Sequence, residues 1–288
     1  MSKPQGPNPR SSRARIAAQQ AEARRQEKRR RMLAIGGVGV ALLAVIGIII
    51  GALVSRSSSG PPTSGAQPLP AGVQAKLTVP ASTFAAVGIG SSSTSYLKPL
   101  TGSELTSGGK PEMLYIGAEW CPYCAAERWA MAVALSRFGQ FTPLKGVHSS
   151  STDVYPNTAT LTFYRSTYTS HYVVFTPVEN QDVNHNPLVA TTPAQQALWA
   201  KYDPPGDSYP FIDIGNRYLA TVTYNPQVLQ GLSWSQIATD LHNPHSAVAQ
   251  GAIGSANLFT AAICKITGNA PADVCTAAPI PALQRQLG

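Results

Sequence analysis

After residue 31 the chain carries no net charge, and that absence removes the partner its overall composition suggests. The formal charge of the 288 residues is +8. Residues 1–31 supply all of it: ten basic side chains (Lys3, Arg10, Arg13, Arg15, Arg24, Arg25, Lys28, Arg29, Arg30 and Arg31) outweigh Glu22 and Glu27. The rest keeps twelve of the 22 basic and twelve of the 14 acidic side chains. A folded part so balanced gives no reason to expect nucleic acid. Metal ligands are equally scarce. No histidine stands beside a cysteine, and a zinc site would need a second ligand pair at knuckle spacing, whereas Cys264 and Cys275 have ten residues between them. Haem attachment through Cys121 and Cys124 would need histidine next, and residue 125 is alanine. His242 and His245 form H-N-P-H and read as cap and turn residues. The chain has no internal repeat, and no cofactor or metal is expected.

Long apolar runs are also missing, with one exception. Met32 to Val54, "MLAIGGVGVALLAVIGIIIGALV", has 23 residues without charge or proline. As a helix it spans roughly 34 Å, enough for a hydrocarbon core of about 30 Å. A cleaved signal peptide has a shorter apolar region and a small-residue cleavage site, and no clear A-x-A follows here. A buried core helix would not lie beside a polybasic tail. The reading is one transmembrane helix, with residues 1–31 cytoplasmic by the positive-inside rule and everything after it extracytoplasmic. Gly47 and Gly51 fit the small-xxx-small pattern of helix pairing in membranes.

Residues 55–80 are rich in Ser, Gly and Pro and show no periodic apolar face, so they read as a linker. Residues 81–288 are long enough for one buried core. A short helix is expected at 81–87 and a loop near 88–96. The run "EMLYIG" (112–117) has strand character, and from Pro122 to about Gly139 apolar residues recur at helical spacing. Pro122 suits the first turn of that helix. Two or three strands follow, broken near Tyr155–Asn157 and at Thr169-Ser170. A helix at 192–202 is capped by Thr191 or Thr192, and residues 209–224 form a hairpin across Gly215-Asn216. Helices at about 233–242 and 244–266 close the chain. The pattern is mixed α/β.

Cysteine is the other rarity: there are four, all beyond the membrane segment. An even count in an oxidising compartment favours disulfides. Cys121 and Cys124 enclose Pro122-Tyr123 where the first long helix begins. There the unpaired N–H groups and the macrodipole favour a thiolate on Cys121, lowering its pKa. Cys124, one turn in, is placed to attack a mixed disulfide formed at Cys121. The bland alternative is an inert structural disulfide. For Cys264 and Cys275 the structural bridge is the leading reading and an electron relay to the first pair the sharper one.

The segment "AEWCPYC" after an apolar strand resembles the active site of the thioredoxin superfamily. That family places a cis-proline before a later strand, facing the disulfide, and Tyr209-Pro210 stands there. More closely, "EWCPYCAAERWAMAVALSRFG" resembles a thioredoxin-like family called domain of unknown function 929, which implies no particular substrate. The resemblance implies a thioredoxin-like domain over 81–288, with an insertion at about 146–205 between the active-site helix and the cis-proline hairpin. It implies Cys121, Cys124 and Pro210 as the catalytic set, with Trp120, Tyr123 and Tyr209 contacting substrate. Thioredoxins carry a buried acid six residues before the first cysteine, and here that position is Tyr115. Glu127, which reads as paired with solvent or Arg128, is the candidate for proton transfer, and Glu119 reads as exposed. Pro122-Tyr123 also occurs in glutaredoxins and in extracytoplasmic isomerases, so it does not fix the direction of electron flow.

Two functional classes follow. One is a membrane-anchored thiol–disulfide oxidoreductase whose partners are extracytoplasmic thiol or disulfide proteins and a membrane redox partner. The other is a non-catalytic binding or scaffold module with a structural disulfide.

Overall fold

The computed structural model describes residues 64–288, within a compact unit that begins at Gly60. The predicted basic tail (1–31), the membrane segment (32–54) and the first part of the 55–80 linker lie outside the described residues. Among the described residues no helix is long and apolar enough to cross a membrane.

Strand Lys110–Gly117 is the axis of a mixed α/β unit. Its run Met113–Ile116 is buried throughout, as a continuous apolar run in a central strand should be. Val174–Glu179 pairs with it in parallel, from Glu112 opposite Val174 to Gly117 opposite Glu179. Phe211–Ile214 runs antiparallel on the other side, with Phe211 opposite Ile116. Tyr218–Ala220 and then Lys98–Pro99 continue the sheet outward. The expected hairpin forms, with Gly215 at φ 66° and Asn216 at φ 52°, a left-handed pair that these two residues tolerate.

Helix Pro122–Leu135 links the two parallel strands, and thirteen of its fourteen residues are buried, only Tyr123 being partly open. It has no solvent face because it packs against helix Gly254–Ile266 as well as strand Ala159–Thr162. The alanines at 125, 126, 130, 132 and 134 permit close approach on every side. Helix Pro193–Tyr202 starts at Thr192, one of its two expected caps, through a full capping box with Gln195.

Three boundaries differ from the sequence reading. The packed unit starts well before residue 81: Gln67–Pro68 pairs with Lys145–Gly146, and Val73, Leu77 and Val79 are buried in the core. Proline and serine masked those three because they are too widely spaced to show a period. The residues expected as an insertion at about 146–205 are not one block, since Val174–Glu179 belongs to the central sheet. They form two pieces instead. One holds the ribbons Gly139–Thr142 with Thr167–Ser170 and Lys145–His148 with Ala159–Thr162; the other runs from Asn180 through the 193–202 helix. The last long helix begins near residue 247 rather than 244, because Asn243–Ser246 is occupied by turns.

The structure bridges Cys264 to Cys275, with Cα atoms 5.6 Å apart, tying helix Gly254–Ile266 to the short helix Ala272–Cys275. Closing so short a loop contributes about 3 kcal/mol through the unfolded state. The Cys264→Ser/Cys275→Ser double variant should lose about that much in thermal or denaturant unfolding and keep any dithiol exchange. Loss of exchange in a variant that is still folded would instead make this pair an electron relay.

Candidate dithiol site

The end of strand 110–117 delivers Ala118–Trp120 and then Cys121, the N-cap of helix Pro122–Leu135. The Cys124 backbone N–H donates to Cys121 Sγ at 3.2 Å, so the sulfur satisfies a helix-start donor as a capping oxygen does. Both cysteines are free thiols, Cys121 3% exposed and Cys124 fully buried. The Cys121 thiol faces the Tyr209 carbonyl at 4.0 Å, and the Tyr209–Pro210 peptide bond is cis. The structure thus brings Cys121, Cys124, Tyr209 and Pro210 to one place.

Aromatic rings border this place. Trp120 stacks on His185 with ring centres 4.6 Å apart, meets Tyr209 edge-on at 5.8 Å, and donates Nε1–H to Gln181 Oε1 at 2.9 Å. Tyr209 donates its hydroxyl to Asn180 Oδ1 at 2.7 Å. Tyr123 meets Tyr155 edge-on at 5.9 Å, and burial raises its hydroxyl pKa to about 12. Sequence reasoning missed Tyr155, Asn180, Gln181 and His185, which come from loops far along the chain. No local signal marks them.

The charged residues depart furthest from expectation. Glu119 is wholly buried rather than exposed. It accepts from Ser64 Oγ at 2.6 and 2.7 Å and from Thr162 Oγ1 at 2.6 Å, and burial raises its pKa. Arg128 does not pair with Glu127. It sends Nε and one terminal nitrogen to Glu179 at 2.8 and 2.7 Å, a buried two-point ion pair, and that nitrogen also donates to the Ala118 carbonyl at 2.7 Å. A clue existed in the sequence: Glu127-Arg128 sits in a helix that is apolar on all sides, where both must be buried and partnered.

Burial, joined by the neighbouring Cys124 thiol, pushes the Cys121 thiol well up; the Cys124 N–H and the Arg128 guanidinium oppose it without prevailing. The helix start alone therefore does not make Cys121 the low-pKa thiol that its position suggests, because desolvation of the sulfur is the larger effect.

Glu127, the candidate proton carrier, is buried and accepts from the Thr223 N–H at 2.7 Å and the Thr223 hydroxyl at 2.8 Å. Burial raises its pKa to about 8, against the pull of Thr223 and Tyr224. These contacts clamp the helix to the segment after the hairpin, where Tyr224 also donates to the Ala126 carbonyl at 2.7 Å. The folded state binds this proton more tightly than the unfolded chain. Its contribution is complete below the unfolded carboxyl value, about 4.3, and is lost as pH rises through about 8. Glu127→Gln should flatten that decline in stability between pH 5 and 8 (roughly the window between the two values), measured by urea unfolding.

Among the described residues no group of three or more His, Cys, Asp or Glu side chains is placed to hold a metal ion. The fold and the site define a mixed α/β domain with a buried dithiol at the start of its central helix. Residues 97–265 match the family described as Domain of unknown function (DUF929), and the chain belongs to that family. No curated protein and no solved structure matches it.

Proposed function

We propose that this chain is a membrane-anchored, extracytoplasmic thiol–disulfide oxidoreductase with a thioredoxin-like domain. One observation carries the reading: Cys121 Sγ caps its own helix on the Cys124 N–H and faces the Tyr209 carbonyl beside Pro210. A C-x-x-C pair within a strand–helix–parallel-strand unit supports the thioredoxin-like part. The anchor and the compartment rest on the 32–54 segment and the basic run before it.

In the reducing direction, the Cys121 thiolate attacks a partner's disulfide, forming a mixed disulfide and releasing one partner thiolate, which takes up a proton. Cys124 then loses its proton and attacks Cys121 Sγ. The second partner sulfur leaves, the partner is reduced by two electrons, and Cys121–Cys124 becomes the disulfide. The oxidising direction is the same sequence reversed. Pro210 and Tyr209 hold the partner chain, and Trp120 and Tyr123 line its approach. A membrane redox partner restores the pair. Glu127 serves proton transfer only at a distance, since the groups that bear on it are Thr223 and Tyr224.

The burial of both sulfurs favours the second reading, a scaffold whose cysteines are inert. The reduction potential of the Cys121–Cys124 pair separates the two. An exchanging pair lies above about −300 mV and a structural one below it.

A further inference from the structure

Three loops far apart in the chain converge on the segment 118–123 that carries Cys121. In loop 149–158 the Ser150 N–H donates to the Trp120 carbonyl at 2.8 Å, and Tyr155 meets the Tyr123 ring. In loop 180–189 the Gln181 carbonyl accepts from the Glu119 N–H at 2.9 Å, and His185 stacks on Trp120. Loop 203–210 presents the Tyr209 carbonyl to the Cys121 thiol. The rim they make is apolar and partly open. Trp120 and Tyr123 are half-buried, and Val154, 48% exposed, is the one exposed large apolar side chain among the described residues.

The same segments carry one sign of charge. Residues 118–123, 149–158, 180–189 and 203–210 hold Glu119, Asp153, Asp182, Asp203 and Asp207, and neither lysine nor arginine. That is five of the twelve acids beyond residue 31, in a stretch that is neutral as a whole. The cations nearest in sequence are engaged elsewhere: Lys201 donates to the Tyr202 hydroxyl at 2.9 Å, and Arg165 lies over the Tyr164 ring. Three of the five acids serve the fold. Glu119 is buried on Ser64 and Thr162, Asp182 is buried on the N–H groups of Asn184 and Asn186, and Asp203 ends the 193–202 helix. The other two face the rim. Asp207 is exposed two residues before Tyr209, and half-buried Asp153 accepts from the Val154 N–H at 2.6 Å, which fixes its carboxylate beside the exposed valine. Burial is the main reason that Tyr123 and Tyr209 titrate high, and the carboxylates of Asp153 and Asp207 add to it.

An apolar rim by itself fits many occupants, and the two acids choose among them. A lysine or arginine lays its methylene stem on aromatic rings and its charged head against a carboxylate, whereas an acidic side chain is repelled. We propose that this rim is a docking surface for a protein segment in which lysine or arginine flanks the cysteine that exchanges, with Val154, Tyr123 and Trp120 packing the stems and Asp153 and Asp207 reading the charge. This rests on the exchange reading above and adds the class of partner it selects.

The test uses the full-length chain in detergent, reduced, with two synthetic peptide disulfides that differ only in carrying lysine or glutamate on each side of the cysteine. Released peptide thiol gives a lysine-to-glutamate rate ratio, which is divided by the ratio that dithiothreitol, an uncharged reductant, gives with the same peptides. The chain is expected to favour the lysine peptide about tenfold by this measure. Asp153→Asn/Asp207→Asn, which keeps the acceptor for the Val154 N–H, is expected to bring the ratio within about twofold of that of dithiothreitol. A parent ratio already within twofold, or a preference that survives both substitutions, overturns the proposal and leaves the oxidoreductase reading standing. If the parent exchanges with neither peptide, the oxidoreductase reading falls. Binding of the same two peptides with serine in place of cysteine, followed by calorimetry, then decides the docking surface alone. Tighter binding of the lysine peptide, lost in the double variant, keeps the surface, and equal binding removes it.

Discussion

Cys121→Ser is expected to abolish thiol–disulfide exchange, and Cys124→Ser to leave a single attack that stops at the mixed disulfide. The difference follows from position. Cys121 caps the helix at the aromatic rim, whereas Cys124 lies one turn in with no exposed surface. On the exchange reading, the first sulfur meets the partner and the second releases it. The Cys124→Ser chain should therefore accumulate covalent adducts, visible by mass spectrometry and removed by dithiothreitol. The trapped partners would distinguish general exchange from delivery to one dedicated protein. If neither variant changes exchange, or if adducts form through Cys124 in the Cys121→Ser chain, the order of events proposed here is wrong.

The second large effect concerns the Arg128–Glu179 pair. Replacing Arg128 with Met leaves the Glu179 carboxylate buried without its counter-ion and frees the Ala118 carbonyl from its donor. Breaking one side of such a pair costs about 3–5 kcal/mol, because the remaining charge stays buried without its counter-ion. Replacing both sides with apolar residues of similar volume is often neutral or stabilising. Arg128→Met should thus lower stability severely, and Arg128→Met/Glu179→Leu should recover most of the loss. Denaturant unfolding of the four chains in the cycle measures this directly. A single variant that unfolds like the parent would mean that water reaches Glu179.

The contrast between those two effects reflects what the sequence shows and what it hides. The strand at 112–117, the helix from Pro122, the Thr192 cap and the Gly215-Asn216 turn were all legible, since each depends on residues within a few positions of one another. So was the gathering of Cys121, Cys124 and Pro210, through a motif and its resemblance. What stayed hidden depends on distant partners. The parallel pairing of Val174–Glu179 with the central strand spans a helix and two ribbons, and its alternation resembled that of the ribbons before it. The buried state of Glu119 is set by Ser64 and Thr162, 55 and 43 residues away. Val73, Leu77 and Val79 looked like linker because composition describes a neighbourhood, while burial depends on where the chain returns.

The central claim is that Cys121–Cys124 is a redox pair rather than a staple. Its reduction potential is the most direct test, measured on the full chain equilibrated against glutathione buffers, with the bridge located by mass spectrometry. Burial holds the Cys121 thiol up, which works against the stabilised thiolate of a strong oxidant near about −120 mV. The account predicts a value between about −180 and −270 mV, in the range of isomerases, glutaredoxins and reductases. A value well below about −300 mV would contradict it and leave the domain as a scaffold held by an inert disulfide.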